Sequence, residues 1–106
     1  MRLEITEGQF GQQVEDLLDT FHWRWTHFRP ARTEHSWRTA LSGHPGFPDY
    51  VALRPPRLLM LEVKAEKGQV SPAQEGWHHG LSLVTMPPEF YLMRPSQWPE
   101  IEEALR

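Results

Sequence analysis

A chain of 106 residues, 39% hydrophobic and 24% charged, has the size of one domain, 1–106, with one modest core. It has no cysteine, which excludes disulfides and thiolate zinc sites, and no apolar run long enough to span a bilayer. The start Met1-Arg2-Leu3-Glu4 carries no signal-peptide pattern, so a cytoplasmic protein with no membrane partner is expected. The formal net charge of −3 argues against non-specific coating of nucleic acid. Its distribution is uneven, however: residues 21–60 hold six arginines against two acids, and residues 1–20 hold five acids against one base.

Phe10, Val14, Leu17, Leu18 and Phe21 recur at helical spacing, which predicts a helix over 7–21 with Thr6 as N-cap. Trp23, Trp25 and His27 alternate with His22, Arg24 and Thr26, a strand pattern. Residues 29–48, with their prolines, arginines and Ser42-Gly43-His44-Pro45-Gly46-Phe47-Pro48, read as loop. Asp49–Arg54 and Arg57–Lys64 read as two strands joined at Pro55-Pro56. The continuously apolar Leu58-Leu59-Met60-Leu61 marks the second as a central strand. Ser71 caps a helix that begins at Pro72 and runs to about Leu83. Here only the cap is expected, because Glu75 stands one residue beyond the capping-box position. Trp77 and Leu81 are expected in its core face. Glu89–Arg94 reads as a last strand, and Ser96 is expected to cap a short final helix with Trp98, Ile101 and Leu105 inward. The order α-β-β-β-α-β-α predicts an α/β fold, a mixed central β-sheet flanked by helices.

An antiparallel turn at Pro55-Pro56 pairs residues whose numbers sum to 111, so Asp49 faces Glu62. Opposed residues share a face, and Lys64, two residues past Glu62, shares it too. Two carboxylates are the donors a hard cation such as Mg²⁺ or Mn²⁺ takes, with the Val63 carbonyl as a further ligand. Lys64 can then orient or help deprotonate an attacking water. Singly these pieces are weak, since Asp49 alone could cap a turn and Glu62 and Lys64 could be an exposed same-face pair. Their joint placement favours the metal site. Glu7 lies on the apolar stripe of the first helix, so it is expected either to face the sheet as a further metal ligand or to stabilise the helix dipole from the first turn; Glu15, at the stripe's boundary, is less attractive. Gln74, in the first turn of the second helix, can reach back to bind a phosphate or order Lys64. His78 and His79 read as surface residues. His27, Arg29, Arg32 and Arg38 are candidates for contact with nucleic-acid phosphates.

The string Gly46-Phe47-Pro48-Asp49, then Glu62-Val63-Lys64, then Ser71-Pro72-Ala73-Gln74-Glu75-Gly76-Trp77, then Arg94-Pro95-Ser96-Gln97-Trp98 resembles the VRR-NUC family of the PD-(D/E)xK nuclease superfamily. The family's small stand-alone members are frequent in bacteriophages, and some act as dimers on branched DNA. The resemblance implies a restriction-endonuclease-like core and a Mg²⁺- or Mn²⁺-dependent endonuclease acting on DNA in a bacterial or infected-host cytoplasm, with a homodimer among the expectations. It also implies Asp49 and Glu62 as metal ligands, Lys64 as the catalytic lysine and Gln74 as the motif glutamine, with Glu7 matching the acid of the first helix. One departure is His22, where such sequences carry Gly. The rival reading is a non-catalytic DNA-binding or assembly module on a nuclease fold. The intact trio argues against it, since such a module has no need of Lys64 beside two acids.

Overall fold

The computed structural model describes residues 4–28 and 42–106, and between them the backbone of Ala31–Arg32 and Trp37–Arg38. Helix α1 (Glu7–Thr20) is followed by strands β1 (Arg24–His27), β2 (Ala31–Arg32), β3 (Trp37–Arg38), β4 (Tyr50–Arg54) and β5 (Arg57–Val63). Helix α2 (Pro72–Ser82), strand β6 (Glu89–Met93), a 3-10 turn at Pro95–Gln97 and helix α3 (Trp98–Leu105) complete the chain. The result is an α/β fold with a four-stranded mixed sheet in the order β1-β4-β5-β6. β1, β4 and β5 are antiparallel neighbours, and β5 and β6 run parallel with α2 as their crossover. Two elements depart from the sequence expectation: β2 and β3 pair within the segment read as loop. No helix among the described residues is long and apolar enough to cross a membrane.

α1 forms where its periodicity predicts. Thr6 Oγ1 accepts from the Gln9 N–H at 3.1 Å, and Gln9 Oε1 accepts from the Thr6 N–H at 2.9 Å, a full capping box. The helix buries Phe10, Val14 and Leu18, each contributing about 1.5–3 kcal/mol. They pack with Tyr50 and Ala52 of β4, Leu59, Leu61 and Val63 of β5, Met93 of β6, and Ile101 and Leu105 of α3. Trp23 joins this core and donates its indole N–H to the Leu105 carbonyl at 2.8 Å. Ser96 does not cap α3; its N–H and hydroxyl bind the Glu66 carboxylate at 2.8 Å each, and α3 starts at Trp98 with Gln97 in the N-cap position and no side-chain cap.

His22 has φ +64°. The Trp23 N–H reaches the Leu18 carbonyl at 2.9 Å and the His22 N–H reaches that of Asp19 at 3.1 Å, the bonding of a Schellman ending with His22 in its left-handed position. A side chain there crowds the backbone, so glycine suits the position better. His22→Gly is expected to stabilise the protein by about 0.5–1 kcal/mol, read as a higher urea midpoint at unchanged slope.

Candidate metal centre at the end of the central hairpin

The hairpin has the register its sequence implies. Tyr50 pairs with Leu61, Leu53 with Leu58 and Arg54 with Arg57, around the tip Pro55-Pro56, whose peptide bond is cis. Asp49 immediately precedes β4 and lies beside Glu62 at the open end of that ladder. Asp49 Oδ2 accepts the Val63 N–H at 3.0 Å, which holds the carboxylate against the end of β5. Glu62 is only 1% exposed. Burial first, and the neighbouring Asp49 second, push its carboxyl from the ordinary 4.5 up to about 8, against the pull of Lys64. The exposed Glu7 adds a smaller push in the same direction.

Lys64 follows the last residue of β5, and its N–H donates to the Met93 carbonyl at 3.0 Å. The loop beyond it is fixed by Arg94, whose guanidinium donates to the carbonyls of Ala65, Glu66 and Gly68 at 2.9, 3.0 and 2.8 Å. The lysine therefore leaves a rigid strand end.

The loop carrying Asp49 is fixed against α2. Gly46 has φ +96°, and a Cβ placed there would lie 2.5 Å from the backbone carbon of Ala73. The Trp77 indole donates to the Pro45 carbonyl at 3.0 Å, and its ring meets that of Phe47 edge-on at 5.0 Å. α2 has no fully buried residue, so Trp77 and Leu81 are not core; the apolar side of α2 closes over this loop instead.

α2 does begin with a capping box, contrary to the cap-only expectation. Gln74 occupies the third position: its N–H donates to Ser71 Oγ at 3.1 Å and its Oε1 accepts the Ser71 N–H at 2.9 Å. With its carbonyl oxygen so engaged, the amide presents Nε2, which donates to Glu62 Oε1 at 2.8 Å. Gln74 thus holds Glu62, rather than ordering Lys64. One turn on, His78 faces the same carboxylate, with Nε2 3.6 Å from Glu62 Oε2. Burial lowers the His78 pKa. Its placement at the site corrects its assignment to the surface; the i, i+4 spacing of Gln74 and His78 was the signal for it.

On the other side, a cleft of about 410 Å³ between α1 and the sheet is lined by Glu7, Glu15, His27, Asp49, Tyr50 and Val63, among others. Glu7 stands at its exposed rim, not turned inward as its place on the helical stripe suggests. The buried acid of α1 is Glu15, 7% exposed. Glu15 Oε2 accepts from the Tyr50 hydroxyl at 2.7 Å and lies 3.2 Å from His27 Nδ1. His27 stacks on the Tyr50 ring with centroids 4.1 Å apart, so it belongs to the cleft beside Asp49 and not to an outer basic surface. Arg29 lies outside the described residues. Arg32 and Arg38 are placed by backbone alone, on paired strands β2 and β3.

Among the described residues no three His, Asp or Glu side chains form a ready-made metal cluster. The fit to a divalent cation rests on two neighbouring carboxylates and on Glu62 Oε2, which is buried with no hydrogen-bond partner. Such an orphaned oxygen is costly unless something charged or polar meets it. Asp49, Glu62 and the Val63 carbonyl offer oxygen donors of the kind a hard divalent cation takes.

A pH dependence follows for the metal-free protein. Glu62 is held about 8 in the fold against 4.5 as its ordinary value, so the folded state binds its proton more tightly than the unfolded chain does. That contribution to stability is full below about pH 4.5 and is lost as pH rises to about 8. Urea unfolding in EDTA is expected to show wild type losing on the order of 2–4 kcal/mol over this window relative to Glu62→Gln. Parallel pH profiles for the two proteins would contradict it.

No protein-family model, curated protein or solved structure matches this chain.

Proposed function

We propose that the chain is a divalent-metal-dependent DNA endonuclease with a restriction-endonuclease-like core, of the kind the VRR-NUC resemblance implies. The observation that carries this reading is the pair Asp49 and Glu62 at one strand end, with Glu62 Oε2 buried and unpartnered and Lys64 two residues on. Asp49, Glu62 and the Val63 carbonyl would hold Mg²⁺ or Mn²⁺, which when bound supplies Lewis-acid stabilisation of a phosphodiester under attack and a lower pKa for water. The residues of the chain prepare that chemistry. Gln74 fixes the Glu62 carboxylate, the Val63 N–H fixes Asp49, and Lys64 brings a cation to orient the attacking water and offset charge developing on the phosphate. His27, Arg29, Arg32 and Arg38 are proposed to meet the DNA backbone, and Glu7, at the exposed rim of the cleft, is proposed as a further acid for the metal.

The test is cleavage of plasmid, linear, flap and four-way-junction DNA across a Mn²⁺ or Mg²⁺ titration, with EDTA as control. Metal-dependent cleavage, greater on branched DNA, is expected. DNA binding with no cleavage at any metal concentration would instead establish a non-catalytic DNA-binding module.

A further inference from the structure

The Glu62 carboxylate is asymmetric. Its Oε1 is satisfied by Gln74; its Oε2 and His78 Nε2 are both buried and both lack a hydrogen-bond partner. These two orphans face each other at 3.6 Å, too far for a hydrogen bond. The separation lies within the span of two donors sharing one small cation, each about 2.1 Å from it. The His78 ring is held for this by Phe90, with centroids 4.1 Å apart, and by its place one turn after Gln74 on α2. We propose that His78 Nε2 is a ligand of the divalent metal, joining Glu62 Oε2, and that α2 therefore supplies both the group that orients the carboxylate and a nitrogen donor beside it.

This inference rests on the reading of Asp49 and Glu62 as metal carboxylates and adds what they do not imply. An all-oxygen set suits Mg²⁺ and Mn²⁺ alike, whereas an imidazole favours the transition metal. The site should accordingly prefer Mn²⁺ over Mg²⁺.

The test uses Mn²⁺ alone, without DNA. Pulsed EPR of Mn²⁺-loaded protein is expected to show nuclear modulation from a coordinated imidazole nitrogen, shifted by ¹⁵N-histidine labelling and absent in His78→Gln. In His78→Gln, Mn²⁺ affinity should fall by about tenfold or more, since loss of even an outer-shell partner costs that much, with Mg²⁺ affinity less affected. Asp49-dependent Mn²⁺ binding without nitrogen modulation in wild type would overturn the His78 assignment and leave the carboxylate site standing. Absence of any Mn²⁺ binding would overturn both. The wild-type spectrum decides whether a histidine coordinates, and His78→Asn assigns the nitrogen to His78 should His78→Gln fold poorly.

Discussion

Lys64→Ala and Asp49→Asn are expected to lower metal-dependent DNA cleavage by about 10²–10³-fold or more, the scale on which removal of a single electrostatic stabiliser acts. The two should differ in what they retain. Lys64 leaves the end of β5, and the following loop is tied independently by Arg94, so truncating its side chain leaves the carboxylates in place. Lys64→Ala should therefore bind Mn²⁺ like wild type and fail to cut. Asp49→Asn removes one of the two charges, and its amide can no longer offer the same anionic donor, so Mn²⁺ binding and cleavage fall together. Asp49 also accepts the Val63 N–H, a bond the Asn oxygen can keep, which preserves the fold. Titration calorimetry beside a cleavage assay separates the two variants. Wild-type cleavage by Lys64→Ala would remove the lysine from the chemistry.

Gly46→Ala is expected to be the most damaging change outside the carboxylates. The added methyl would meet the Ala73 carbonyl carbon at 2.5 Å, its oxygen at 2.6 Å and the Gln74 nitrogen at 2.8 Å, all of them backbone atoms with no rotamer to yield. The φ of +96° is itself unfavourable to any side chain. Either the loop that carries Asp49 or the first turn of α2 must move, and that turn holds Gln74 against Glu62. A loss of about 2–4 kcal/mol is expected, a fall in melting temperature of about 10 °C or more for a domain of this size. Mn²⁺ binding should weaken in the fraction that remains folded. Thermal unfolding with and without Mn²⁺ measures both, and a melting temperature within 2 °C of wild type, as about a third of a kcal/mol would give, would show that the loop is not clamped as described.

The parts legible in the sequence were those written by local pattern. The apolar stripe from Phe10 to Leu18 and the Thr6 cap gave α1, and the sum-of-111 register holds from Arg54 and Arg57 to Tyr50 and Leu61, which brings Asp49 beside Glu62. The capping box at α2 is closed by Gln74 in the third position, a glutamine in the place where an acid is the more familiar signal and where Glu75 stands one residue too far. The same box sets how Gln74 acts: bound by Ser71 on one side, its amide is aimed at Glu62 on the other. Trp77 misled in a different way. Its spacing to Leu81 suggests a core face, yet α2 covers only the Pro45–Asp49 loop and one end of the sheet. Glu7 and Glu15 exchanged burial because proximity of Tyr50 and His27, rather than position on the helical stripe, decides which acid can be taken from water. His22 carried a readable signal, the absence of an expected glycine, and the structure gives its cause in the left-handed backbone at the end of α1.

The central claim is that Asp49 and Glu62 form one divalent-metal site. It is tested most directly by calorimetric titration of Mn²⁺ into the metal-free protein, compared with the double variant Asp49→Asn, Glu62→Gln. The account predicts saturable binding by wild type and its loss in the folded double variant. Equal Mn²⁺ binding by both proteins, or none by either, would contradict it.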